Sequence, residues 1–316
     1  MNLHTQIPLA KQAHHQINYS SKLFLIGSCF SEHIGSKLNY YKFQLKQNPF
    51  GILFHPKAIE NFIAKTINKE KYIEEDIFFH QERWHSFEAH SSLSSNDKSI
   101  LLQNLNSSIQ KSFKQLKEAT HLIITLGTAW VYREIESDVL VANCHKVSQK
   151  KFLKELLTVD EVSESIQAIN SLAKSINKNI SIIYTISPVR HLKDGFIENQ
   201  RSKAHLISAI HQLVSPRNRC YYFPSYEIMM DELRNYRFYN EDMVHPNNVA
   251  INYIWEKFKD VWVTEDSYQT MQEVETIQKG LLHKPFNPNS EAHQRFLNNL
   301  QQKKETLLQA FPFMSF

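Results

Sequence analysis

The seven residues His121-Leu122-Ile123-Ile124-Thr125-Leu126-Gly127 set the fold class. Their apolar run is almost unbroken. A strand with one wet face alternates apolar and polar residues, whereas a strand covered on both faces reads as continuous. This stretch therefore predicts the interior of a parallel sheet. Moving outward, Lys22 to Gly27 (KLFLIG), Ile180 to Ser187 (ISIIYTIS) and Cys220 to Phe223 carry the same signal. Helical spacing fills the intervals at Ser31 to Tyr40, Pro56 to Asn68, Ser99 to Ala119, Thr158 to Asn177, Glu198 to Val214 and Asn248 to Val261. Thr158 and Glu161 form a capping box at one of these starts. Strand and helix in alternation predict βαβ units, hence an α/β protein with a central parallel sheet.

Two regions break the alternation. Residues 70–98 mix aromatics, charges and serines, and read as an insertion beside the sheet, a hairpin and loop near the site. Beyond about Thr264, two further helices (Ser267 to Leu282 and Ser290 to Gln309) flank Lys284-Pro285-Phe286-Asn287-Pro288. The expected organisation is one α/β domain over 1–263, carrying the insertion, and a C-terminal helical extension over 264–316.

Composition narrows the classes. Hydrophobic residues make up 42% and charged residues 22% of the 316, enough to bury a substantial core. The net charge of +4 is mild and contains no run of like charges, so no nucleic-acid partner is expected. Met1 to Ser20 is polar, with three histidines and no apolar core of a signal peptide. Apolar runs fall far short of the ~20 residues of a membrane span, so no membrane partner is expected either. Three cysteines at unrelated spacings give no disulfide framework and point to a reducing cytoplasm. No cofactor or metal is expected.

Only six glycines occur, so each has a backbone reason to be there. Gly27 and Gly127 end strand-like runs, and open α/β sheets place ligand sites at strand ends. Ser28, between a strand and a helix, stands where free N–H groups and the helix dipole stabilise an oxyanion. Taken alone, the segment reads first as a plain helix cap. Asp242-Met243-Val244-His245-Pro246 offers a base for a serine hydroxyl, with a carboxylate that curls back to fix the imidazole. The same sequence also suits a surface turn capped by Asp242. Gly127 and Thr128 allow close backbone approach and a hydroxyl donor, or simply a tight turn before a core Trp130. Arg190 follows a strand and suits an anionic or sugar-bearing substrate. Trp84, His85 and His90 in the insertion are candidate substrate contacts. Cys144 beside His145 has no partner at zinc spacing, and Cys29 reads as a structural thiol.

Several of these segments resemble the GSCFA family. Gly27-Ser28-Cys29-Phe30 resembles its namesake motif, with Ser31 in the fifth place instead of alanine. Asn48-Pro49-Phe50-Gly51, Leu126 to Tyr132, Asn143-Cys144-His145-Lys146, Ser187-Pro188-Val189-Arg190-His191, Tyr222 to Glu227 and Glu241 to Pro246 follow in order. That family is similar to the SGNH, or GDSL-like, hydrolases. The resemblance implies a flavodoxin-like three-layer sandwich, with Ser28 as nucleophile, His245 as base and Asp242 as its orienter. It also implies the backbone N–H groups of Ser28 and Gly51 as oxyanion donors. SGNH enzymes carry an asparagine shortly after the third-block glycine, where this chain has Thr128-Ala129. Thr128, Asn48 or Asn143 is then expected to supply the missing donor.

The expected function is a serine esterase or deacylase acting on a small-molecule or glycan ester. An acyltransferase on the same triad and a non-catalytic binding module on a degenerate hydrolase fold are the alternatives. The sequence gives no oligomeric state.

Overall fold

The structure, a computed structural model, describes residues 5–316; of the N-terminal segment, residues 1–4 lie outside the described residues. In chain order the elements are β1 (Lys22–Gly27), α1 (Cys29–Tyr40), β2 (Gln44–Gln47), α2 (Pro56–Asn68), β3 (Phe78–His80), β4 (Arg83–His85) and α3 (Lys98–Glu118). Then come β5 (His121–Leu126), β6 (Trp130–Glu134), β7 (Val139–Val141), β8 (Phe152–Leu156), α4 (Val159–Ile176), β9 (Ser181–Ile186), α5 (Phe196–Leu213) and β10 (Cys220–Phe223). A short α6 (Ser225–Glu227), α7 (Asn248–Trp262), α8 (Asp266–Leu281) and α9 (Glu291–Ala310) complete the chain.

The main sheet runs β10-β9-β5-β1-β2, with every pairing parallel. Numbering these strands by their order in the chain gives 2-1-3-4-5, the flavodoxin-like order. All six residues of β5 are buried, as its unbroken apolar run requires. On one face Phe24, Ile26, Leu122, Ile124, Ile182 and Tyr184 meet α2, α3, α4 and α5 through Ile59, Phe62, Leu105, Ile109, Ile166 and Leu206. On the other, Leu23, Leu25, Ile123 and Ile183 meet Ile34 and Leu38 of α1 and Trp255 and Phe258 of α7. Helices on both faces complete the three-layer sandwich that the resemblance implies, around the parallel sheet that the alternation predicts. Thr158 accepts the Glu161 N–H while the Glu161 carboxylate accepts the Thr158 N–H, the expected capping box.

Three features depart from the sequence reading. β2 (QLKQ) carries no apolar signal, because it is a half-exposed edge strand held only by β1. Residues 130–156 form a separate antiparallel sheet, β7-β6-β8, whose short strands are too mixed in polarity to announce themselves. The C-terminal helices pack on the sheet domain, a contact that the sequence reading does not give. Met271, Val274, Ile277, Leu300 and Leu307 join the core cluster of α1 and α7. Residues 70–98 do contain a hairpin, β3–β4. Among the described residues no helix is long and apolar enough to cross a membrane.

Candidate active site

The C-terminal ends of β1, β5 and β9 converge, and the loops leaving them lock to one another. Gly27 has φ +141, and a side chain there would overlap the Thr125 carbonyl of β5, so only glycine lets β1 end this close to its neighbour. The next residue, Ser28, starts α1 with its side chain fully buried. Its hydroxyl makes no cap hydrogen bond and has no hydrogen-bond partner at all. The side-chain cap reading is therefore not realised.

Backbone donors around Ser28 are largely consumed. The Ser28 N–H donates to the Thr125 carbonyl (3.0 Å) and the Gly51 N–H to the Asn48 carbonyl (2.8 Å). The N–H groups of Gly127 and Thr128 both donate to the Phe54 carbonyl, at 2.7 and 3.2 Å. The oxyanion donors implied for Ser28 and Gly51 are thus spent on holding loops together. Asn48 differs. Its Oδ1 accepts the Gly27 N–H (3.0 Å), which leaves a buried Nδ2 with no partner.

The Asp242–His245 loop is tightly built. Asp242 Oδ1 accepts the N–H groups of Val244 and His245, both at 2.9 Å, with Met243 in the left-handed region at φ +57. Its Oδ2 accepts the His245 Nδ1–H at 2.7 Å. These hydrogen bonds, the two backbone donors first, hold the Asp242 carboxyl down at about 2, so it stays ionised and fixes the proton on Nδ1. His245 Nε2 is then left as an acceptor. The loop is tied to the β9 exit by Arg190 N–H to the Val244 carbonyl (3.2 Å) and to α7 by Asn247, which caps that helix. A positive charge on His245 opposes one on His33 of α1 and on His191 of the β9 exit loop, lowering both.

The sequence match follows the same elements. The model of the GSCFA family matches residues 22–258, from the start of β1 into α7. The chain belongs to the GSCFA family. A second model, of the C-terminal domain of GSCFA domain proteins, matches residues 274–316. No curated protein matches this GSCFA chain. Among solved structures, a carbohydrate esterase family 3 from Talaromyces cellulolyticus is similar at a TM-score of 0.37 and 8% identity, over 81% of this chain and 99% of that one.

A cavity of about 320 Å³ opens beside the strand ends of the GSCFA chain. Phe54, His55, Trp130, Tyr132, Asn143, Cys144, His191 and Lys193 are among its walls. Of the predicted substrate contacts, Thr128 and Asn143 line it. The Thr128 hydroxyl is committed to Ser202 and to the Trp130 N–H, both at 3.0 Å, so it organises the turn instead of offering a free donor. Asn143 Oδ1 accepts the His145 N–H. Trp84 and His85 are elsewhere: His85 is buried with one nitrogen on Ser94 and the other on the His80 carbonyl, and Trp84 packs on the core beneath Lys98. Arg190 lines a different cavity with Met229, Arg234, Tyr236 and Tyr239, its guanidinium 4.2 Å from the Tyr239 ring centre. Among the described residues no three His, Cys, Asp or Glu side chains gather as metal ligands.

Two residues at this centre escape sequence reasoning. Lys203 of α5 is fully buried and donates to the carbonyls of Gly127 (2.6 Å) and Ser187 (2.8 Å), joining the ends of β5 and β9. Burial lowers its pKa to about 7. His191, two residues past the Ser-Pro-Val of the β9 exit, has its N–H held by Asn199 Oδ1 (2.9 Å). The sequence reading carries it within the Ser187 to His191 segment but assigns a role only to Arg190; the rule that polar residues at strand C-termini face the site is the signal that would have added His191.

Proposed function

We propose that the chain is a serine hydrolase of ester-type acyl groups, with Ser28 as nucleophile, His245 as base and Asp242 as orienter. One observation carries this reading: a fully buried hydroxyl at the sheet's C-terminal edge that bonds to nothing. An unpaired buried hydroxyl costs about 1–3 kcal/mol, so a group kept in that state needs a reason. Attack on a carbonyl supplies one. Ser28 Oγ bonds to the carbonyl carbon as its proton passes to His245 Nε2, and the carbonyl π pair moves onto oxygen. Collapse of that oxyanion restores the C=O bond and expels the alcohol, which takes the proton back from His245. Water repeats the sequence and frees the acid. The unpartnered Asn48 Nδ2 is the donor we assign to the oxyanion, in place of the asparagine absent after Gly127.

The neighbouring cavity suggests the substrate class. Trp130 and Tyr132 give flat apolar faces, while Asn143, Lys193 and Asp194 give polar contacts. This mixture suits a sugar-bearing alcohol, whose ring stacks on aromatics and whose hydroxyls need partners. The deciding experiment is active-site labelling with a fluorophosphonate. The wild-type protein should be labelled and Ser28→Ala should not. Equal labelling of the two would end the proposal.

A further inference from the structure

We infer that His191 is a second side-chain donor to the reacting carbonyl oxygen, reaching it through the slot that Gly127 leaves open beside Ser28. The inference deepens the proposed serine chemistry and rests on it. A methyl group built at Gly127 would lie 3.3 Å from the Ser28 Cβ and 3.2 Å from the His191 Nε2. Its third neighbour, at 3.1 Å, is the Phe54 carbonyl, which already accepts two N–H groups. The space a side chain would fill is therefore bounded on one side by the nucleophile and on another by a ring nitrogen.

That nitrogen is buried and has no hydrogen-bond partner, the same condition as Ser28 Oγ and Asn48 Nδ2. Three orphaned polar atoms stand on the exit loops of β1, β2 and β9, two of them beside Gly127 and the third on the loop that anchors Gly27, and they call for a common ligand. A carbonyl oxygen that becomes negative satisfies the two nitrogens at the moment the serine bonds to carbon. The ring is also held in place: Asn199 fixes its backbone, and Phe54 packs edge-on against it at 5.9 Å between ring centres.

His191 is a donor and not a second base because of its surroundings. The Lys203 ammonium and the His245 imidazole both oppose a positive charge on it, and burial opposes it more strongly. Lys193 lines the same cavity, and Asp194, also there, is engaged by Lys154. His245 has an ionised carboxylate on its Nδ1, which is what a proton acceptor needs. A neutral imidazole has a single N–H, and with that proton on Nε2 it donates to an oxyanion without carrying charge into the site.

The test uses the full chain with p-nitrophenyl acetate as probe. His191→Phe keeps the ring and removes the donor, and should lower kcat by about 10²–10³-fold with little change in KM. The acid limb of its kcat/KM profile should stay where the wild type has it. His191→Gln, which restores an N–H donor, should recover at least about tenfold of the loss. Wild-type kcat in a folded His191→Phe overturns the assignment. Loss of the acid limb in that variant also overturns it, since the ring would then be the base. Ser28→Ala separates the two levels: if it retains full turnover, the serine reading itself fails, whatever His191 does. Should His191→Phe not fold, nitrogen NMR of the wild type decides. The His191 Nε2–H signal should move when a phosphonate bonds to Ser28, and an unmoved signal overturns the assignment.

Discussion

At the scale of single residues, the chemistry open to each side chain depends on which of its hydrogen-bonding atoms are already used. Asn48 is the sharpest case, because its two amide atoms face different tasks. Oδ1 anchors Gly27, and Nδ2 has nothing to bond. Asn48→Asp keeps the anchor and exchanges the free donor for an oxygen that repels an oxyanion. It should lower kcat by at least about 10²-fold, with labelling by a fluorophosphonate slowed to match. Esterase turnover within a few-fold of wild type would remove Asn48 from the site. The same accounting explains what the sequence could disclose. Asp242 and His245 are legible because three residues of chain close the pair within one loop, and their bond needs no other element. Ser28 is legible from its place between strand and helix. The role we propose for His191 is not, since it rests on Gly127, Ser28 and Lys203, each carried there by a different strand exit or helix.

At the scale of elements, the apolar strands were legible and the polar ones were not. β1, β5, β9 and β10 are buried, so burial wrote itself into their composition. β2 and the β6–β8 sheet take their stability from pairing and local contacts, which leave no periodic trace. One such contact joins the two kinds of element. His55 caps α2 through Nδ1, which accepts the Ala58 N–H (3.1 Å), and its Nε2–H donates to the Val141 carbonyl on β7 (3.1 Å). The imidazole is buried and lines the cavity, so it holds one wall to the main domain. His55→Ala removes a cap worth about 1 kcal/mol and leaves a buried carbonyl unpaired at about 1–3 kcal/mol. Urea unfolding should show a loss of about 2–4 kcal/mol, and a loss under about 0.5 kcal/mol would mean water replaces the ring.

At the scale of the whole molecule, the packing that makes this core also sets its tolerance of acid. His55, His121 and His145 are buried, and burial lowers each to about 4, while His191 is lowered to about 3. Burial keeps each ring uncharged, against the carbonyl hydrogen bonds of His55, His121 and His145, which pull the other way. His121 donates from Nε2 to the His15 carbonyl and pairs Nδ1 with Thr120 Oγ1; His145 bridges the Ser86 carbonyl and Ser91. In the unfolded chain all four return to the ordinary histidine value of 6.5. Between those limits the unfolded state binds more protons than the folded one, so stability is complete above about pH 6.5 and falls with pH down to about 4. His55 and His121, the most enclosed, each contribute about 1.4 kcal/mol per pH unit inside that window. Asp242 does not share it, because a carboxylate lowered to about 2 from 3.8 loses its contribution only in stronger acid. Urea midpoints measured at about pH 7 and about pH 5 should therefore drop steeply in the wild type. His121→Gln, which keeps a donor and cannot ionise, should start from a lower midpoint and drop less, by the share of one proton. Equal slopes in the two proteins would show that His121 takes up its proton in the folded chain as readily as in the unfolded one, and that burial does not hold the ring neutral.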